Sequence, residues 1–461
     1  MAGFLVDPRR ALWQLSLPIL GGMAIHTLYS VVDMIFVSWV GPDAVAALAF
    51  NMPLVFFAYG ITMGLSAGVT AVVALAIGSK DKVRADNTAE HAVVLGLLVG
   101  LVLTAAGLTW GPQILFALGA TGEINSIAWS YFQVISWGLT FSVLSAFFRG
   151  ILTGEGDTMR PMAILGLGMV LNIIFDPIFI FGLDMGVRGA AMATMISQAI
   201  VFVVFIYIIF HRKSTFVEFR LRHFRYRPAI MLSILKIGLP SSVSFMIMSV
   251  GGATFNKILS TYSHHAVAAY QIANRIEMLS FMPIIALSTG CVTLVGMFYG
   301  AGEYGKLRDI IRYTMVRAVM IGVAAFVLIY PFAPQIMLLF RPNAEILDYG
   351  VSYLRVIAFA FPLVPIGMIS GRVMQGLGKG LPVLILTTLR VLGLSAPLAL
   401  YFAYSLHKPV EWIWYAMLIS VVVAAATGIT WLLVSLRQAE QGPHPAAPAT
   451  EAPQPVIEAA G

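Results

Sequence analysis

A succession of twelve apolar stretches, each long enough to cross about 30 Å of hydrocarbon, leaves this chain few folds to choose from. They fall near residues 12–40, 45–77, 90–118, 127–152, 162–182, 187–210, 230–259, 266–299, 310–339, 348–375, 381–405 and 411–435. A backbone in hydrocarbon must satisfy its own hydrogen bonds, so segments of this kind form helices. Charged residues make up only 11% of the 461 and hydrophobic ones 59%, against roughly 25% charged in soluble domains. The sequence therefore predicts an all-α integral membrane protein with twelve transmembrane helices. The net charge of +7 is no sign of nucleic acid, because seventeen Lys and Arg gather in loops on one side of the spans and three on the other. The positive-inside rule then puts both termini and the basic loop 211–227 in the cytoplasm, with the protein in the inner (plasma) membrane. The tail 438–461 is rich in Pro and Ala and is expected to be disordered.

An internal repeat divides the chain. Sliding it by 222 residues aligns Leu17–Pro18 with Leu239–Pro240, Leu65–Ser66 with Leu287–Ser288, Ser130–Tyr131 with Ser352–Tyr353, and Gly154-x-Gly156 with Gly376-x-Gly378. The expected domains are a six-helix bundle over 1–210, a linker over 211–227, and a second bundle over 228–437. Six is even, so the bundles are parallel and related by pseudo-two-fold symmetry. Parallel repeats around a central cavity are a transporter architecture.

The repeat also separates scaffold from chemistry. Asp33 aligns with Phe255, Asn172 with Leu394 and Asp176 with Leu398, so the costly polar residues belong to the first bundle alone. An ionisable residue at bilayer depth faces a wet cavity or a partner. Asp33, Ser30 and His26 share one face of the first helix, which also carries Pro18, a site for a bend. Asn172 and Asp176 are four apart and share a face. Counting along the spans brings Asp33, Asp176, Tyr131 and Thr194 to the same outer half of the membrane. Two carboxylates, an amide and two hydroxyls at one depth are hard oxygen ligands for a small cation; equally, paired acids make a proton site.

These residues lie in patterns that resemble the multidrug and toxic compound extrusion (MATE) transporters, in their archaeal and DNA-damage-inducible-type branch. The resemblance covers residues 10–436 and rests on D-M-I-F-V at Asp33, the loop G-P-D-A-V-A-A-L, the turn Gly154–Pro161, N-x-x-x-D-P at Asn172–Pro177, and A-V-A-A-Y-Q-I-A-N-R-I from Ala266. It implies that Asp33 is an essential carboxylate and Pro18 the bend of the first helix. It also implies that Asn172, Asp176, Thr194 and Tyr131 bind Na⁺ or relay H⁺, with Asp33, Asn172, Asp176 and Thr194 as the Na⁺ ligands.

The function expected is secondary active export of small cationic or amphipathic compounds in antiport with Na⁺ or H⁺, by a monomer in membrane lipid without a cofactor. His26, Tyr29, Gln198, Asn274 and Glu277 are candidates for the substrate cavity. Glu277 and Arg275 point to different faces and are expected to pair across helices, as are Arg372 and Arg390. The alternative is a flippase for a lipid-linked sugar or polar lipid, for which Arg275, Arg372 and Arg390 are the cavity candidates. An enzyme is not expected. Gly64-x-Ser66-x-Gly68 fits a hydrolase elbow, but that motif needs a strand-to-helix turn and here sits in a long apolar helix, where small residues serve helix packing.

Overall fold

The structure, a computed structural model, describes residues 4, 6–211, 215–219, 224 and 226–441. The helices run in the order α1 Pro8–Val40, α2 Pro42–Gly78, α3 Lys82–Ala117, α4 Gly122–Glu155, α5 Met159–Gly182, α6 Gly186–His211, α7 Pro228–Ser260, α8 His264–Gly300 and α9 Tyr304–Leu338. They continue as α10 Ala344–Ala358, α11 Val364–Gly376, α12 Leu381–Ser405 and α13 Glu411–Gln441. Among the described residues eleven of these are long and apolar enough to cross a membrane.

The ends of these helices are read from local chemistry. Asp7 caps α1 by accepting from the Arg10 amide at 3.0 Å, with Pro8 in the first turn. Gly41, at φ +143°, makes the tight passage from α1 into Pro42. Asn343 caps α10 through the Ile346 amide at 2.9 Å.

Two expectations need correction. The tenth span, expected unbroken over 348–375, is two helices separated by residues 359–363. Pro362 has no amide to donate, and the local bonds tighten to a three-residue reach, from Phe361 N to Ala358 O at 3.1 Å and from Leu363 N to Ala360 O at 2.9 Å. The terminal segment, expected disordered from Gln438, remains helical through Gln441. There Glu440 pairs with Arg308, and Gln438 accepts from Lys379 at 3.2 Å. The rest of that tail, and the linker residues Arg212, Lys213, Arg220, Arg222 and Arg225, lie outside the described residues.

Helices α3 to α6 pack chiefly within the first half and α9 to α13 within the second; the two bundles meet where α2 packs along α7 and on α8, and where α1 packs on α8. The seam is made of small residues. A Cβ on Gly68 would stand 2.6 Å from the Ile234 carbonyl, and one on Gly78 2.2 Å from that of Met297. Thr293 Oγ1 donates to Thr153 O at 3.1 Å across it. These contacts lie in the half of the molecule nearest the termini. The far halves of α1, α2, α7 and α8 instead carry exposed large apolar side chains, among them Met34, Phe56, Phe57, Val250 and Met278.

Candidate ion-coupling site

Three helices supply the polar residues around Asn172. Helix α5 presents Asn172 and Asp176 one turn apart, only 3% and 0% exposed; α6 brings Thr194, and α1 brings Tyr29. With its amide oxygen toward Thr194, Asn172 accepts from Thr194 N at 3.0 Å and from its Oγ1 at 3.3 Å. Its nitrogen then donates to the Tyr29 hydroxyl and to Asp176 Oδ2, both at 3.2 Å. Turned the other way the amide keeps a single bond, to Thr194 Oγ1 at 3.3 Å. The first orientation satisfies both ends, which decides between them. Tyr29 also hydrogen-bonds Thr194.

Asp33 stands one turn beyond Tyr29 on α1 and hydrogen-bonds none of the described residues. It lies within electrostatic reach of Tyr29, of Tyr131 on α4 and of Asp176. Asp176 Oδ1 is buried with no hydrogen-bond partner. Two carboxylates at this range in a low-dielectric interior resist being charged together, and a shared proton or a small cation between them relieves the repulsion. The π-helical turn Ile178–Gly182, directly after Asp176 and Pro177, ends α5. Such turns cluster at functional sites because they redirect a helix without breaking it.

The other expected site residues divide between the bundles. His26 is exposed on α1, its ring edge-on to Tyr29 at 6.1 Å. Ser30, on the same helical face, is spent on the His26 carbonyl at 2.9 Å. Gln198, one turn from Thr194, accepts from Ser142 of α4. Helix α1 runs continuously through Pro18.

Asn274 and Glu277 are not part of this group. Asn274 donates to the Tyr270 hydroxyl at 3.2 Å, and Glu277 accepts from the Tyr353 hydroxyl at 2.5 Å while feeling the charge of Arg390 on α12. Tyr353 in turn meets Trp414 edge-on at 4.9 Å. Arg372 donates to Gln375 at 3.1 Å, so an amide takes the place of the expected acid, while Arg275 is exposed with no ion pair among the described residues.

One residue escaped the sequence reading: Arg149, near the end of α4, where a basic side chain resembles ordinary loop charge. Its signal was available, since the 222-residue offset sets it against Gly371, beside Arg372. Among the described residues no group of three or more His, Cys, Asp or Glu could hold a metal ion. A cation at Asp33 and Asp176 would therefore depend on the neutral oxygens of Asn172 and Thr194 as well.

The sequence profile of the MatE family matches residues 18–178 and 240–401, one segment in each bundle. A probable multidrug resistance protein NorM of Thermotoga maritima is 28% identical over 434 residues, 92% of each chain. The multidrug export protein MepA of Staphylococcus haemolyticus is 28% identical over 378 residues, 80% of this chain and 82% of that one. Among solved structures, an outward-facing multidrug resistance transporter of the MATE family and MOP superfamily superposes with a TM-score of 0.89 at 34% identity, covering 95% of this chain and 97% of that one.

Proposed function

Since the chain belongs to the MatE family, whose members are transporters rather than enzymes and need no cofactor, we propose that it is a secondary active exporter of small cationic or amphipathic organic compounds. In this reading it resides in the inner membrane with both termini in the cytoplasm and works as a monomer. The bundles 1–210 and 228–437 are its two rocking bodies, joined by 211–227. The observation that carries the reading is the juxtaposition, within the first bundle, of Asp33 with an Asp176 oxygen that is buried without a partner.

With the bundles closed at the terminal end and open at the other, Na⁺ or H⁺ from outside meets the partly exposed Asp33 first and passes from it to the buried Asp176 oxygen. Capture there satisfies Asp176 and removes the repulsion between the acids. It lets α1 move against α5, with Pro18 as the hinge where the backbone ladder already lacks a bond. Cargo entering from the cytoplasm favours the opposite state, and that difference in preference couples the two fluxes.

The test is efflux of a fluorescent organic cation from proteoliposomes under an imposed Na⁺ gradient or an imposed pH gradient, each applied alone. Asp33→Asn is expected to abolish gradient-driven efflux while the protein still inserts and folds. Efflux at the unmodified rate in that variant would take Asp33 out of the mechanism.

A further inference from the structure

Arg149 is a half-buried charged group inside the first bundle that the coupling scheme does not use. A guanidinium carries a fork of N–H donors and no acceptor, and held away from water it needs an anion or several good acceptors. The two half-buried arginines of the second bundle come closer to that: Arg390 lies within electrostatic reach of the Glu277 carboxylate, and Arg372 has Gln375, which itself donates to Ser241 at 2.9 Å. Arg149 has neither. Its Nη2 reaches the sulfur of Met63 on α2 at 2.9 Å, and a thioether is a weak acceptor. No carboxylate among the described residues lies within ion-pair distance of it.

The groups around Arg149 suit a ligand. Its charge acts on Tyr59 of α2, which is 47% exposed, and on His26 of α1, which is exposed as well. Helices α1 and α4 are not packed against each other to any extent, so the guanidinium and His26 address one another across the interior of the bundle. Tyr59 and His26 bring apolar rings and polar edges to the same space, as Met63 brings polarisable surface. The guanidinium end of this group is remote from the acid cluster, which the His26 end adjoins through Tyr29. Along α4, Tyr131, which senses Asp33 and Asp176, and Arg149 are separated by about 27 Å at the rise of an α-helix.

We propose that Arg149 forms, with His26 and Tyr59, a subsite for an anionic group, a carboxylate or its equivalent, on the amphiphilic cargo. The proposal rests on the export reading and sharpens it. Cargo docks its negative end deep in the first bundle, its apolar body lies along His26 toward Tyr29, and the coupling cation binds elsewhere. Cargo and cation then need no common ligand, and compounds with a free acid are preferred over their esters. An anionic lipid headgroup carries the same chemistry, and the test separates the two sources.

Rhodamine B and its methyl ester share one cationic chromophore and differ in a free carboxylate. Binding of each to the purified full-length protein in a neutral detergent, followed by fluorescence anisotropy, reads the subsite whether or not export occurs. The acid is expected to bind roughly tenfold tighter than the ester, as one charge-assisted bond implies. Arg149→Gln should remove that preference while leaving ester binding in place, which also shows that the variant is folded, and Arg149→Lys should keep part of it. Equal affinity for acid and ester in the unmodified protein, an undiminished preference in Arg149→Gln, or equal loss of both ligands would each overturn the proposal. So would the absence of binding by either dye. Efflux from phosphatidylcholine vesicles, measured separately, tests the export reading. Repeating the anisotropy with added phosphatidylglycerol separates the sources: a preference that persists assigns the subsite to cargo, and one that the anionic lipid abolishes assigns it to a headgroup and overturns the cargo assignment.

Discussion

Ser242 Oγ donates to the Ile61 carbonyl at 3.0 Å where α7 meets α2, and a Cβ on the neighbouring Gly64 would stand 2.2 Å from the Ser242 nitrogen. The seam between the bundles is thus closed backbone against backbone. Gly64→Val is expected to wedge it open. Overpacking of this kind costs about 1–3 kcal/mol, enough to move a two-state balance roughly 5- to 150-fold. Cys291, fully buried in the apolar cluster that α8 forms with Leu12 and Leu15 of α1, is the only cysteine in the chain. It should react with a maleimide faster in Gly64→Val than in the unmodified protein, and transport should fall at least tenfold. Unchanged labelling would mean that the seam tolerates the extra methyl groups.

Thr194 holds the proposed coupling site together through its hydrogen bonds to Asn172 and Tyr29. Thr194→Ala removes a hydroxyl from that network, a loss of about 0.5–1.5 kcal/mol. The cation or proton concentration needed for half-maximal efflux should rise by roughly two- to tenfold, with little change in the maximal rate. A titration of efflux against the imposed gradient measures both.

Glu277, Tyr353 and Arg390 make a different prediction. Removing one member of a buried, contacting charge pair costs about 3–5 kcal/mol because the other is left uncompensated, whereas replacing both with apolar residues is often neutral; Glu277 and Arg390 feel each other's charge without ion-pair contact and are half-buried, so that figure is an upper bound here. Glu277→Gln should therefore lower the midpoint of thermal unfolding in detergent, and Glu277→Gln with Arg390→Met should recover most of the loss. Tyr353→Phe, which removes the 2.5 Å hydrogen bond but no charge, should fall between them.

At the terminal end of α4 the Glu155 carboxylate accepts from the amides of Phe216 and Val217 at 3.1 and 2.9 Å. Lys82 joins the same anchor by donating to Phe216 O at 2.5 Å. Hydrogen bonds to a charged acceptor are each worth about 1.5–3 kcal/mol. In Glu155→Ala the Phe216 and Val217 amides should exchange with deuterium at least tenfold faster, with amides in the core of α4 unaffected. Exchange at the original rate would show that Lys82 and Asp86, which accepts from the Glu218 amide at 2.8 Å, suffice to hold this segment.

The helical architecture was readable because hydrocarbon length and the 222-residue offset constrain it without reference to packing. The acid cluster was readable for a related reason. Position along a span fixes depth, and depth alone brought Asp33, Asp176, Tyr131 and Thr194 within range of one another; the structure adds that Asn172 is the residue that links three of the helices. Less was legible where partners are set by rotation and packing. The hydroxyl opposite Glu277 is Tyr353, on a helix whose break between Ala358 and Val364 no hydropathy window registers, since the broken segment is as apolar as an unbroken one. Arg149 was missed because its meaning lies in what surrounds it, a sulfur and two rings in place of an acid.

That broken helix has a mechanical consequence. By the repeat, α10 and α11 together stand where the first bundle has α4, a single rod from Gly122 to Glu155. Gly322 of α9 presses on the interruption so closely that a Cβ there would lie 2.2 Å from the Phe361 carbonyl. The two halves are alike in topology and unlike in stiffness. A push delivered at one end of α4 arrives whole at the other, while in the second bundle the same push passes through an elbow, and α9 holds that elbow from the side.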